Sequence, residues 1–188
     1  MRYLNYLLLA AILGALQGCP AVVATGVGTG ALMAADRRTT GTYIEDEVIE
    51  DKANSQISTK YKNTAHVNIT SFNRHVLITG EAPNEETRAG IAQIVAGVQN
   101  VKAVSNELVV SGLTGITSRS SDSIITGDVK LRFLNNKVFN ADHVKVITEN
   151  GTVFLMGLVY RKEAETATEI ASTTSGVQRV VKVFEYLD

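Results

Sequence analysis

The tightest constraint on this chain is a hairpin that is written twice. Residues His143-Val144-Lys145-Val146-Ile147-Thr148 alternate apolar and polar side chains and break at Glu149-Asn150-Gly151. The run Thr152-Val153-Phe154-Leu155-Met156-Gly157 carries the chain back. Asn-Gly between two β-prone runs points to a two-residue turn, because both central residues of a type I′ turn need positive φ. The same pattern stands earlier as His66-Val67-Asn68-Ile69-Thr70, a break at Asn73-Arg74, and His75-Val76-Leu77-Ile78-Thr79-Gly80. His66, Val67 and Gly80 recur as His143, Val144 and Gly157 at one constant offset. A further echo sets Gly97-Val98-Gln99-Asn100-Val101 against Gly176-Val177-Gln178-Arg179-Val180. The chain is therefore two copies of a unit of about 65–70 residues, near the lower limit of what folds alone.

The helices follow from periodicity. In the first unit, starting near Tyr43, Ile49, Ala53 and Ile57 share one helical stripe, with Glu45, Asp46, Glu47, Glu50 and Asp51 around it as a solvated acidic face. Pro83-Asn84-Glu85-Glu86 opens a second helix with Asn84 as N-cap, and Gly97 sits where a helix end favours a left-handed residue. Val101–Val110 closes the unit as a third strand. A Ser/Thr/Gly-rich linker, 113–123, leads into the second copy, 124–188, with a helix from Ile124 to about Val138, a helix from about Lys162 to Thr174, and a last strand from Val177 to Leu187. The crossover makes the third strand of each unit parallel to the second, while the hairpin is antiparallel. The expected fold is α+β: two tandem domains, 43–112 and 124–188, each α-β-β-α-β, with a small mixed three-stranded sheet covered by two helices.

The N-terminus has a different character. An apolar run from Leu4 to Leu16 is too short for a membrane-spanning helix and ends in Leu16-Gln17-Gly18-Cys19. Small residues before a cysteine behind an apolar stretch resemble the bacterial lipobox. That resemblance implies a signal peptide over 1–18, cut before Cys19, with acylation (palmitate among the acyl groups) of Cys19. Cys19 is the single cysteine of the chain, so no intrachain disulfide competes for it. Pro20 in place of Asp after the cysteine favours the outer membrane. Residues 20–42, rich in Gly, Ala and Thr and then polar, make a tether. The alternative is an internal protein with an apolar start and an incidental cysteine.

A helix, a hairpin ending in Gly80 or Gly157, and a helix running into Gly-Val-x-x-Val together resemble the BON domain. Two such units behind a lipobox are similar to the dual-BON outer-membrane lipoproteins. The resemblance implies a lipid-anchored, periplasm-facing protein that binds anionic phospholipid through its second domain and supports envelope integrity. It implies no enzyme and no cofactor, and envelope proteins rather than nucleic acid as further partners.

The residues agree on the absence of chemistry. His66 and His143 hold the same place in both repeats, so one fold reason accounts for both, and neither has a second ligand at metal spacing. Gly26-Val27-Gly28-Thr29-Gly30 lacks the lysine and preceding strand of a phosphate loop, and no Gly-x-Ser-x-Gly elbow occurs. No catalytic or metal-binding residue is expected.

The two first helices diverge on one face. Ile49, Ala53 and Ile57 align with Ile125, Val129 and Phe133 as core stripes. Opposite them, Val48, Asp51, Ser55, Ser58 and Lys62 align with Ile124, Gly127, Leu131, Leu134 and Val138, a sector of about 80° at 100° per residue. The second helix thus carries two apolar faces where a surface helix needs one. Lys130, Arg132 and Lys137 flank the extra face, and the first unit is net −3 over 44–112 where 113–188 is neutral. An apolar stripe flanked by bases suits an anionic bilayer surface. The other reading of the same stripe is an interface, with the first repeat or with another protein. The expected lipid-binding residues are Ile124, Gly127, Lys130, Leu131, Arg132, Leu134, Lys137 and Val138. The alternative function is a periplasmic adaptor that docks an envelope partner.

Overall fold

Each hairpin is closed by two consecutive residues of positive φ, Asn73 and Arg74 (53° and 65°) in the first and Asn150 and Gly151 (49° and 69°) in the second. The computed structural model describes residues 36–62, 64–111 and 116–188. The expectations for the signal peptide, Cys19 and most of the tether lie outside those residues. In the first repeat α1 (Thr40–Tyr61) leads into β1 (His66–Phe72), β2 (His75–Ala82) and α2 (Glu85–Ala96). Strand β3 (Ala103–Asn106) and its short continuation β4 (Val109–Val110) follow. The second repeat runs α3 (Ile116–Asn135), a 3-10 turn (Ala141–His143), β5 (Val144–Glu149), β6 (Thr152–Val159), α4 (Arg161–Ser172) and β7 (Arg179–Tyr186). Within each sheet the hairpin's return strand, β2 or β6, lies in the centre, antiparallel to its hairpin partner and parallel to the closing strand. This is the α+β order expected from the repeat.

Several boundaries differ from the sequence expectation, each for a local reason. Helix α3 begins at Ile116, inside the stretch expected as linker, and ends at Asn135. It is tied down by Asp122 and by a 2.7 Å hydrogen bond from Thr126 Oγ1 to Thr148 Oγ1. The Asn136 side chain accepts from the backbone N–H of Val138 and Phe139 at 2.8 and 3.0 Å, which turns the chain out of the helix. Lys137 and Val138 therefore sit in a loop rather than on the helix. The strand expected over Val101–Val110 is broken where the Asn106 side chain takes the Leu108 N–H at 3.2 Å and Leu108 turns into the core. Gly97 caps α2 in right-handed geometry (φ −80°), and the left-handed residue is Asn100 (φ 72°). Asn84 is the N-cap of α2, accepting from Thr87 N at 2.8 Å.

One residue pair escaped the sequence reading. Asp46 of α1 accepts from Asn73 N and Arg74 N at 2.8 and 2.7 Å, and Asp122 of α3 accepts from Asn150 N and Gly151 N at 2.9 and 2.8 Å. A helix carboxylate thus clamps each hairpin turn. Both aspartates are buried, at 2% and 6% exposure, where Asp46 was expected on a solvated face and Asp122 in a linker. The signal was present: each aspartate stands three residues before the first core isoleucine of its stripe, Ile49 or Ile125. Asp122→Ala leaves two turn N–H groups without their carboxylate, so a loss of about 2–4 kcal/mol is expected in urea denaturation. The Asn variant, retaining one acceptor, should lose less.

Helices cover one face of each sheet. Ile49, Ala53 and Ile57 pack with Ile78, Ile91 and Val95 in the first repeat; Ile125, Val129 and Phe133 pack with Val153, Leu155 and Ala167 in the second. The opposite faces of the two sheets meet each other. Phe72 and Leu77 join Phe154, Met156, Leu158 and Val183 in a third apolar cluster, so β2 and β6 are buried on both sides. That double burial explains why the return strands read as unbroken apolar runs rather than alternations. Residues 35–188 form one compact unit.

Polar pairs rim this seam: Asn68 to Glu149 at 2.8 Å, Asn73 to Glu185 at 2.6 Å, and Lys145 with Glu50 at 3.2 Å. Burial pushes the Glu149 carboxyl up; the Asn68 bond opposes that rise, and Glu81 and Asp122 add to it. The segment before α1 crosses the seam as well. Arg37 donates to Leu158 O at 2.8 Å and to both Glu163 oxygens at 2.6 and 2.8 Å. Those bonds hold the Glu163 carboxyl below the usual range. Arg38 pairs with Asp36 and Asp46 and lies 4.0 Å over the Phe72 ring.

Candidate lipid-contact site

Helix α3 presents two apolar faces, as its sequence requires. Ile125, Val129 and Phe133 are 7%, 0% and 1% exposed and belong to the core, whereas Ile124, Leu131 and Leu134 are 66%, 59% and 69% exposed. Val138, in the loop that follows, is also exposed. A side chain at Gly127 would meet nothing within 4 Å. The extra stripe is therefore not the seam between the repeats. That seam is made by the sheets, and the stripe is left open to solvent.

The bases around the stripe divide in two. Lys130 and Lys137 are exposed and form no ion pair among the described residues. Arg132 is committed to the fold: it donates to Ile170 O and Thr174 Oγ1 at 2.7 Å each and to Thr173 Oγ1 at 2.9 Å. It ties the end of α4 to α3, and this corrects its place among the freely available cations.

The corresponding surface of α1 is also exposed, but polar apart from Val48 and, one turn earlier, Ile44. Its acidity is smaller than the composition suggests. Asp46 is buried in the turn clamp, Glu45 pairs with Arg74 at 2.9 Å, and Glu50 pairs with Lys145. Glu47 and Asp51 remain on the surface.

His66 and His143 share a contact through their backbone carbonyls, which does not depend on the imidazole rings. A Cβ at Gly80 would overlap the His66 carbonyl oxygen, and one at Gly157 would overlap that of His143. Each histidine backbone thus faces the hairpin glycine of its own repeat. His75 Nε2 lies 2.9 Å from Ser105 Oγ, and burial lowers its pKa. Among the described residues no group of His, Cys, Asp or Glu could hold a metal ion, and no helix is long and apolar enough to cross a membrane.

Two α-β-β-α-β units packed sheet to sheet, one bearing an unpartnered apolar helix face, define a tandem α+β protein of paired small domains. The chain belongs to the BON-domain family, whose profile matches residues 45–112 and 121–188. It is 42% identical over 185 residues, 96% of either chain, to the outer membrane lipoprotein DolP of Haemophilus influenzae. It is 36% identical over 154 residues to the 21 kDa hemolysin of Actinobacillus pleuropneumoniae, covering 81% of this chain and 79% of that one. The osmotically-inducible protein Y of Escherichia coli is 24% identical over 145 residues, 74% of this chain and 72% of its own. Within the family, this chain is a dual-BON lipoprotein of the outer membrane.

Proposed function

We propose that this protein is a non-enzymatic, periplasm-facing lipoprotein, anchored through acylated Cys19, that binds anionic phospholipid with the open face of α3. The observation that carries this reading is the exposure of Ile124, Leu131 and Leu134 on a helix whose core face is already complete. An exposed apolar stripe of this kind marks a contact surface. Burying these three side chains contributes roughly 1.5–3 kcal/mol each if complete, and each nearby base adds about 1 kcal/mol at an anionic surface. Partial insertion leaves a weak contact. The acyl tether makes it persistent by holding the domain at high effective concentration beside the bilayer.

Co-sedimentation of the chain from Pro20 onward with vesicles, with and without anionic lipid, tests the reading directly. Binding that requires anionic lipid supports it; equal indifference to both vesicles removes it and favours the adaptor function. The anchor has its own test. Cys19→Ser should accumulate as uncleaved precursor that fails to label with radioactive palmitate, whereas normal processing and sorting would remove Cys19 from the reading.

A further inference from the structure

The closing strands of the two repeats differ at the sheet edge. The parallel pairs Val76–Val104 and Val153–Val180 put β3 and β7 in the same place on their sheets. In the first repeat the strand is broken at Asn106, whose side chain donates to Arg88 O of α2 and accepts from Leu108 N, both at 3.2 Å. That break shortens the edge and closes the gap between strand and helix, one of the ways in which a sheet is protected from a further strand. In the second repeat Lys182 holds the place of Asn106, and β7 runs eight residues, Arg179–Tyr186, without a break or a proline. Both faces of β7 are covered: Val180 and Phe184 pack on the core under the helices, and Val181 and Val183 lie in the seam. Among the described residues β7 pairs with β6 alone, so its outer edge is open.

A groove of about 450 Å³ lies between β7 and α4. No residue of β6 lines it, which places it on the open side of the sheet. Glu165 and Glu169 line it from the helix, one turn apart, and Lys182 and Tyr186 from the strand. All four are exposed, and Glu165, Glu169 and Lys182 form no ion pair among the described residues. Arg161 stacks on the Tyr186 ring, 4.9 Å from its centroid. When Ile91 and Val95 are matched with Ala167 and Ala171 as buried helix positions, Glu165 and Glu169 fall on Ala89 and Gln93 of the first repeat. The charged groove thus belongs to the second copy alone, the same copy that leaves its strand edge open.

We propose that the edge of β7 and this groove form a docking site for an extended peptide segment, which adds to the sheet as a further strand. Main-chain groups on the open edge supply affinity with little regard to sequence, and the side-chain rows supply selection. Successive side chains of the added strand fall on alternate faces. The row beside Val181 and Val183 continues the seam and is apolar. The row beneath α4 enters the groove, where it carries a base for Glu165 and Glu169 and an acid for Lys182. The occupant is therefore a segment of period two, apolar on one face and of mixed charge on the other. This site shares no residue with the α3 stripe and is independent of the lipid-binding reading.

The probe is a short, end-blocked, fluorescently labelled peptide in which valine alternates with lysine and glutamate, titrated with the chain from Pro20 onward. Wild type should bind it, and amide hydrogen exchange in β7 should slow on binding while exchange in β3 and β4 stays unchanged. Proline at the centre of the peptide should abolish binding, because it removes a ladder N–H. The double variant Glu165→Gln, Glu169→Gln changes two exposed helix positions and should keep the wild-type urea midpoint. It should bind the peptide about three- to tenfold more weakly, the size of one or two partly exposed ion pairs. That loss should vanish when glutamine replaces the lysines of the peptide. No binding by wild type, equal binding of the proline peptide, or protection of β3 in place of β7 overturns the proposal. Protection of β7 that rises with protein concentration in the absence of peptide also overturns it, since the edge would then join two copies of this chain.

Discussion

Leu134→Glu is expected to weaken binding to anionic vesicles by more than tenfold while leaving the urea midpoint of the protein near its wild-type value. The side chain is 69% exposed on α3 and points away from the core residues Ile125, Val129 and Phe133. Its replacement therefore removes little packing. At the membrane it replaces roughly 1.5–3 kcal/mol of favourable transfer with a carboxylate that resists both burial and the anionic surface. Ile124→Glu should behave alike. Charge reversal at Lys130 and Lys137 should weaken binding in a salt-dependent way, since that attraction is screened within about 10 Å at moderate ionic strength. The control lies at the aligned position of α1, where Ser58→Glu should change little. A Leu134→Glu protein that unfolds, or that keeps its vesicle binding, would remove the stripe from the lipid site.

Gly157→Val should cost at least about 3 kcal/mol of stability, read as a lowered urea midpoint with an unchanged lipid preference per folded molecule. Gly157 lies in the central strand β6, paired with Val144 of β5. A Cβ there overlaps the His143 carbonyl oxygen, which is backbone and has no rotamer by which to yield. Gly157 is buried, and its neighbours in β6 alternate between the helix-covered core (Leu155, Val159) and the seam (Met156, Leu158), so the strand cannot shift without disturbing both. Gly80 stands in the same relation to His66, with a φ of +115° that adds backbone strain to the clash. A Gly157→Val protein as stable as wild type would show that β5 and β6 can separate at this point without cost.

Much of this architecture was legible in the chain because it is local. The Asn150-Gly151 turn, the Asn84 cap and the core stripes of α1 and α3 each depend on residues within a few positions of one another. The exposed stripe was legible for a related reason: two copies of one unit supply their own comparison. A face polar in one copy and apolar in the other stands out with no structure in hand. Where the reading fell short, the missing partner was distant in sequence. Arg132 looked like a free cation because Ile170 and Thr174 lie some forty residues away, and Asp46 looked solvated because its turn begins at Asn73.

The sequence by itself determined two α+β units, their strand directions, the glycines that their hairpins require, and a second apolar face on one helix. Tertiary structure decided what those units do with their remaining surfaces. Phe72 and Leu77 meet Phe154, Met156 and Leu158 across a sheet-to-sheet seam that no periodicity announces, because an apolar residue on a strand shows only that its face is covered. That seam occupies the sheets and leaves the α3 stripe uncovered. It also brings Glu47 of one repeat beside Lys130 and Asp142 of the other, joining residues that only the packing of two separate hydrophobic faces could make neighbours.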